Sequence, residues 1–400
     1  MFKLALRGIL RNRRRTLISL AVIGLGTAAL FLTNGYIEFT YLGLEQMSVN
    51  QTGHLQVAWP QAWEENGDGQ QHLITPVQQK VLAGILRALP QVKEYGGTLS
   101  LAGLIGTDRQ STAFVAEATD PAFAHDPWLL EDGMQLMPGD QERILIGRLM
   151  AKSLGAKPGD WLSLLTATAD GAYNAASVQV RGTFSTGTAQ GDARLAMLPL
   201  SFAQRLLNTG GIEKLIIRLD KTENTARVAR ELARRMKKAG LPLVVKTWQE
   251  LSTFYRQIRT MYGAIFGFMS LIIFGLVFFS VLEVMTLSFF ERMRELGTIM
   301  AIGTTRGQVF AQLLSEGAVL GLCGGILGLA LGWLLGVGLN GANLTYTPPE
   351  MNMPVPLAVH LSAGAAWPPL VIALLSTLAS TIYPAWRAAR LSIVEALHHV

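Results

Sequence analysis

Cysteine is nearly missing from this 400-residue chain. Cys323 is the single one, so no internal disulfide can form, and its place among glycines and leucines in an apolar run reads as packing. Charge is scarce as well: 16% of residues are Asp, Glu, Lys or Arg, against 50% apolar. Catalytic signatures are absent too. No Gly-Lys dipeptide occurs, which excludes the Gly-x-x-x-x-Gly-Lys-Ser/Thr phosphate cradle and implies that any ATP is bound by another chain. The histidines His54, His72, His125, His360, His398 and His399 show no His-x-x-x-His or cysteine-paired metal spacing. No Gly-x-Ser-x-Gly elbow presents a nucleophile. Neither a metal nor a cofactor is expected on this chain, and an enzyme reading lacks a site.

What the chain does have is long apolar runs. A bilayer core about 30 Å thick needs about 20 apolar residues in a helix. Four stretches qualify: Leu17–Phe39, Met261–Leu287, Gly317–Leu339 and Leu361–Tyr383. The first follows the basic segment Arg11-Asn12-Arg13-Arg14-Arg15, as a secretory signal would. It is longer than a signal core, however, and no small-residue cleavage site follows before Glu38 and Glu45, so it is expected to be retained.

Lysine and arginine placement orients the spans. Six precede the first (Lys3, Arg7, Arg11, Arg13, Arg14, Arg15), three lie between the second and third (Arg292, Arg294, Arg306), two follow the fourth (Arg387, Arg390), and 340–360 carries none. Both termini are therefore expected in the cytoplasm. The net charge of +6 is thus partly topological and partly spread over the long segment between spans one and two, so membrane lipid and not nucleic acid is the expected surrounding.

The expected fold is membrane α-helical, with four transmembrane helices and a large mixed α/β extracytoplasmic domain inserted between helices 1 and 2. Its order is a cytoplasmic basic amphipathic segment 1–16, span one 17–39, a stalk and external domain 40–260, span two 261–287, a cytoplasmic segment 288–316, span three 317–339, an external loop 340–360, span four 361–383 and a cytoplasmic tail 384–400.

Within the external segment, strand patterns fall at His54–Trp59, Ser111–Ala118, Trp161–Thr166, Ser177–Gly182, Leu195–Pro199 and Lys214–Leu219, and helical ones at Thr75–Leu89, Leu149–Leu154, Ser201–Asn208 and Glu223–Ala239. The last has an apolar stripe of Val228, Leu232 and Met236 beside many basic residues, which reads as a surface helix or one lying on anionic lipid. Leu251, Phe254, Tyr255, Ile258, Met261, Tyr262 and Ile265, at steps of three and four, predict that span two begins outside the membrane. Tyr36–Val49, without proline, extends span one likewise. The two extensions read as a stalk.

Several stretches together resemble the MacB/FtsX-type permeases of ABC systems, nearest the lipoprotein-releasing LolC/LolE branch. They are Phe2–Arg7 with Arg11–Leu17 before span one; Glu291-Arg292-Met293-Arg294-Glu295-Leu296-Gly297-Thr298-Ile299-Met300-Ala301-Ile302-Gly303-Thr304 with Glu316 after it; Tyr383-Pro384-Ala385-Trp386-Arg387 through Leu397; and Ile144–Leu149 with Leu154-Gly155 and Gly159-Asp160 outside. Ser392 stands where the family commonly has proline.

The resemblance implies an inner-membrane permease whose ATP sits on cytoplasmic ABC ATPase subunits. It further implies a second permease chain, identical or a sister, and in the lipoprotein-releasing case a periplasmic carrier. The ATPase-docking residues it implies are Glu291, Arg292, Arg294, Glu295, Leu296, Gly297, Ala301, Ile302, Gly303 and Thr304. Release of a lipoprotein or lipid-like substrate, export of a periplasmic drug, peptide or toxin, and non-transporting activation of a cell-wall hydrolase all remain open.

Two features stand on chemistry alone. Gly324, Gly328, Gly332 and Gly336 recur every fourth residue in span three, a spacing that lets helix backbones approach closely, either within one chain or as a dimer seam; Gly263 and Gly267 offer a weaker candidate. Glu38 and Glu283 are acids near the ends of spans one and two, where they either reach water or relay protons.

Overall fold

The computed structural model describes residues 13–63, 72–121, 123, 129–168, 170–347 and 354–390. The segment 1–12, His125 and the tail from Leu391, including Ser392, His398 and His399, lie outside them.

In chain order the elements are α1 (Arg13–Thr52), β1 (Leu55–Ala58), α2 (Pro76–Arg87), β2 (Val92–Gly106), β3 (Ser111–Thr119), β4 (Leu129–Gly133), β5 (Arg143–Gly147), α3 (Arg148–Leu154), β6 (Trp161–Ala167), β7 (Tyr173–Ser185), β8 (Leu195–Pro199), α4 (Leu200–Leu206), β9 (Lys214–Leu219), α5 (Thr225–Lys238), β10 (Val244–Thr247), α6 (Thr253–Glu291), α7 (Met293–Ala301), α8 (Arg306–Gly341) and α9 (Ala363–Ala389). Four of these helices, α1, α6, α8 and α9, are long and apolar enough to cross a membrane. The chain divides into two compact units, one holding residues up to Gly43, Gln257–Tyr346 and those from Pro356, the other Leu44–Arg256 with Thr347–Val355.

The second unit is built on a ten-stranded sheet of order β10-β1-β9-β2-β3-β8-β5-β7-β4, with β6 pairing both β2 and β7. Pairing is antiparallel except β3 with β8 and β5 with β7. Strand β2 is the spine: its first half pairs with β9 and its second with β3 and β6. A side chain at Gly103 would run into the Leu165 carbonyl of β6, so glycine is what lets both partners reach the same strand.

Two cores form on this sheet. One packs Leu55, Val57 and Ile217 against Leu82 and Leu86 of α2 and Val228, Leu232 and Met236 of α5; the other packs Leu99, Phe114, Ile146 and Val180 with Met150 and Phe202 of α3 and α4. The stripe expected on the basic helix is thus its buried face, while Glu231 on the outside pairs with Arg234 and Arg235.

Leu251 is not part of α6. It ends a short separate helix, Trp248–Leu251, and α6 starts two residues later. Trp248 and Tyr255 pack with Val49 of α1, their rings 4.8 Å apart. Helix α1 runs unbroken through Gly43 to Thr52.

Candidate functional site

In the first unit the connection between α6 and α8 is an ordered elbow. Helix α6 stops at Glu291, Arg292 kinks the chain, and α7 follows as a helix of nine residues. Gly303, at φ +109°, then turns the chain back, a conformation that favours glycine, and Thr305 caps α8 in a reciprocal pair of hydrogen bonds with Gln308.

The elbow is bound on its inner side. Phe289, Met293 and Leu296 share a core with Val309 and Leu313 of α8 and Ala385 and Ala388 of α9. Beside it, Arg292 Nη1 donates to both carboxylate oxygens of Glu316 at 3.1 Å, and its Nε lies 3.7 Å from Glu295. Glu316 is only 4% exposed, so this ion pair locks the start of the elbow to the side of α8.

The family-implied residues therefore divide. Leu296 and Gly297 are buried, Arg292, Glu295 and Thr304 are half-buried, and Glu291, Arg294, Ala301, Ile302 and Gly303 face outward. Ile302 is 81% exposed, an aliphatic side chain left uncovered among the described residues. The Arg292–Glu316 pair escaped sequence reasoning although both residues stood out there. The signal was the acid itself, since an ionisable group in an apolar helix calls for a partner.

The glycine row is also filled from within the chain. A β-carbon on Gly324 would meet Ile23 of α1, one on Gly328 the Gly24 carbonyl and Thr27, one on Gly332 Phe31 and Ala28, and one on Gly336 Leu361 and Leu32. On the other side Gly317 and Gly321 lie against Thr381 and Thr377 of α9. The row thus seats α8 between two spans of its own chain. Gly263 and Gly267 instead face open space.

Glu38 accepts a 2.6 Å hydrogen bond from Ser362, whose hydroxyl also caps α9 by accepting from the Ala365 N–H. An acid at a helix N-terminus is an anchor, which accounts for Glu38 without proton movement. Glu283 lies on the exposed face of α6.

In the second unit, the external signature is a structural joint. Ile144–Ile146 are buried in β5, and Gly147 abuts the Asp192 carbonyl. Arg148 bridges Asp192 at 3.1 Å and Glu131 at 3.3 Å. Asp192, fully buried, also accepts from Ser185 and from the Thr186 N–H and hydroxyl. Nothing in the sequence singled out Asp192, whose partners are brought to it by folding.

Two further groups there have shifted titration. Burial and the nearby Arg218 push the His54 imidazole below its ordinary range against the pull of Asp220, and its Nδ1 accepts from the Leu219 N–H. Burial works to raise the Glu213 carboxyl, but Lys214 and hydrogen bonds from Ser100 outweigh it and hold it low.

Comparison with known proteins matches residues 16–235 to the MacB-like periplasmic core domain and residues 267–393 to the FtsX-like permease C-terminal region. The lipoprotein-releasing system transmembrane protein LolC of Xylella fastidiosa is 24% identical over 278 residues, covering 66% of each chain. This chain therefore spans just under two thirds of that relative. The macrolide export ATP-binding/permease protein MacB of Nitrobacter winogradskyi is 35% identical over 120 residues, 29% of this chain and 16% of that one. Among solved structures, the periplasmic region of MacB from Actinobacillus actinomycetemcomitans aligns at 12% identity and a TM-score of 0.38, covering 52% of this chain and 95% of that one.

Proposed function

Since this chain belongs to the MacB/FtsX-type permease family of ABC systems, we propose that it is the inner-membrane permease of a complex whose ATP is bound and hydrolysed by separate cytoplasmic ATPase subunits. In this reading two permease chains, identical or sisters, sit together with both termini in the cytoplasm. Nucleotide-driven movement of the ATPases reaches the permease at the α7 elbow and is passed to the external domain. The favoured task is release of a lipoprotein or lipid-like substrate toward a periplasmic carrier, in keeping with the LolC relative. An acyl chain holds to the bilayer by about 0.8 kcal/mol per buried methylene, so extraction needs work that ATP can supply.

The observation that supports force entering at α7 is its mounting. An elbow loosely tethered to the bundle would absorb a push. This one is fixed by an apolar core and a buried ion pair, and presents Arg294, Ala301 and Ile302 outward. Export of a periplasmic drug, peptide or toxin is the second reading, favoured by the MacB relative's higher identity over a shorter stretch. Activation of a cell-wall hydrolase has no separate observation behind it.

Ile302→Glu tests the docking role, because it charges the exposed apolar contact and leaves the inner core alone. In vesicles holding the permease and its ATPase, the variant is expected to keep its melting temperature and lose at least tenfold in ATP-dependent cargo release. Unchanged release would refute docking at this elbow.

A further inference from the structure

The external domain carries a cavity that the permease reading does not use. It measures about 420 Å³ and lies on the face of the sheet turned away from the two cores. Alternation along the strands explains its lining: Leu215, Ile217 and Leu219 of β9 point into a core, so Lys214, Ile216 and Arg218 point the other way. Register then sets Lys214 opposite Thr98, Thr98 opposite Thr119, Ser100 opposite Glu117, and Glu117 beside Met197. Trp63 and Phe123 complete the wall. The size suits a small molecule, and the mixture of aromatic, aliphatic and hydrogen-bonding groups is that of a ligand site.

Three observations indicate which ligand chemistry suits it. Lys214 is paired with Glu213 at 2.8 Å and Arg218 with Glu94 at 3.4 Å, so the lining cations are neutralised by their own neighbours. Among the described residues the Glu117 carboxylate has no hydrogen bond or ion pair, which makes it the lining charge left over. Thr119 Oγ1 and Trp63 Nε1 are buried without a hydrogen-bond partner among the described residues, an uncommon state for polar atoms in a folded protein. Desolvation by the cavity walls also pushes the Glu117 carboxyl up, against the pull of Lys214, while one side of the side chain stays open to solvent.

We propose that this cavity binds a small organic cation, an ammonium group on an apolar or aromatic body. Glu117 is the counter-ion, Thr119 contributes hydrogen bonding, and Met197, Phe123 and Trp63 surround the body. An anion is disfavoured because Lys214 and Arg218 are already paired, whereas a cation supplies the partner that Glu117 lacks. The proposal stands whichever cargo the permease moves, and it needs neither ATPase nor second chain.

Calorimetric titration of the full chain in lipid nanodiscs, with empty nanodiscs subtracted, tests it. The probes are 2-phenylethylammonium and the bulkier biphenylmethylammonium, beside neutral 2-phenylethanol and anionic 3-phenylpropanoate. Saturable binding of at least one ammonium, one per chain and at least tenfold tighter than the neutral and anionic compounds, is expected. Glu117→Gln should weaken it tenfold or more without changing the melting temperature. Absence of saturable binding by both ammonium probes, equal or better binding of the carboxylate, or a Glu117→Gln protein that binds as before would each overturn the proposal. The charge ranking on the unmodified protein decides the matter even if the variant fails to fold.

Discussion

Where α8 crosses α1 the buried residues are Gly324, Gly328 and Gly332, whereas where α5 lies on the external sheet they are Val228, Leu232 and Met236. The contrast extends further: α9 buries Ser376, Thr377, Ser380 and Thr381, each fully, while the domain cores are apolar, mostly leucine, isoleucine, valine and alanine with Phe114, Phe202, Met150 and Met236. Solvent explains the difference. In water, removing large apolar surface is itself the driving force, at roughly 25 cal/mol per Å². In lipid that force vanishes, and helices are held by close backbone approach and by the few polar contacts they make. The hydroxyls are satisfied within the bundle: Thr381 and Ser380 donate to the Thr377 carbonyl and Ser376 to that of Phe274. Each unit is therefore vulnerable to a different kind of substitution.

The largest effect is expected at Glu316, where the membrane unit, among the described residues, departs from its own rule and buries a charge. Glu316→Ala leaves Arg292 without its main partner and should cost about 3–5 kcal/mol. Replacing both residues together, Arg292→Met with Glu316→Leu, should recover most of that stability but not ATP-coupled transport. Thermal unfolding in detergent checks the first outcome and vesicle transport the second. Next is Leu232→Ala in the external core, expected to cost about 2–5 kcal/mol by opening a cavity in a water-built interior. Hydrogen exchange should show that loss in β1, β9 and α2.

Glycine separates the two regimes by one identical change at three sites. Gly328→Ala places a methyl 2.5 Å from the Gly24 carbonyl and should cost about 1–3 kcal/mol. Gly267→Ala, on the open face of α6, should be near neutral. Gly84→Ala, in solvent-facing α2 with nothing within 4 Å, should stabilise by about 0.5–1 kcal/mol through helix propensity. Equal effects at all three sites would erase the distinction between seam and surface.

The membrane unit was the more legible of the two in the sequence, because a span is a local property: length and hydropathy suffice. The glycine spacing likewise announced close packing, though not that α1 and α9 of the same chain would occupy it. External strands were found where a short apolar run stood between turn signals, as at Leu195–Pro199 and Lys214–Leu219, whose bounds recur in the structure. The spine β2 was missed. Its Gly96, Gly97, Gly103 and Gly106 weaken any strand pattern, and they are there because Phe123, Ile212 and the backbones of neighbouring strands approach too closely for a side chain. At the elbow, the resemblance named ten residues without separating the outward ones from Leu296 and Gly297, which the structure buries. The ion pair behind them spans 24 positions and had no local signature. Glu117 was invisible for the same reason, since its isolation is a property of what β2, β8 and β9 bring beside it.

The smallest effect expected is one of pH, and it belongs to the external unit alone. His54 Nδ1 is the acceptor of the Leu219 N–H at 3.1 Å, so the folded imidazole is neutral with its proton on Nε2, toward Thr222. Protonating Nδ1 would set two donors against each other. Burial and Arg218 lower the folded pKa beneath the 6.5 of the unfolded chain. A group depressed in this way contributes its full stability above pH 6.5, and loses it as pH falls through the folded value. The melting temperature of the external unit should therefore decline between pH 7 and pH 5. His54→Gln, whose amide oxygen can still accept a hydrogen bond and cannot titrate, should flatten that slope. The lipid-embedded helices should show no matching transition, and a wild-type slope that survives in the variant would assign the pH dependence to another group.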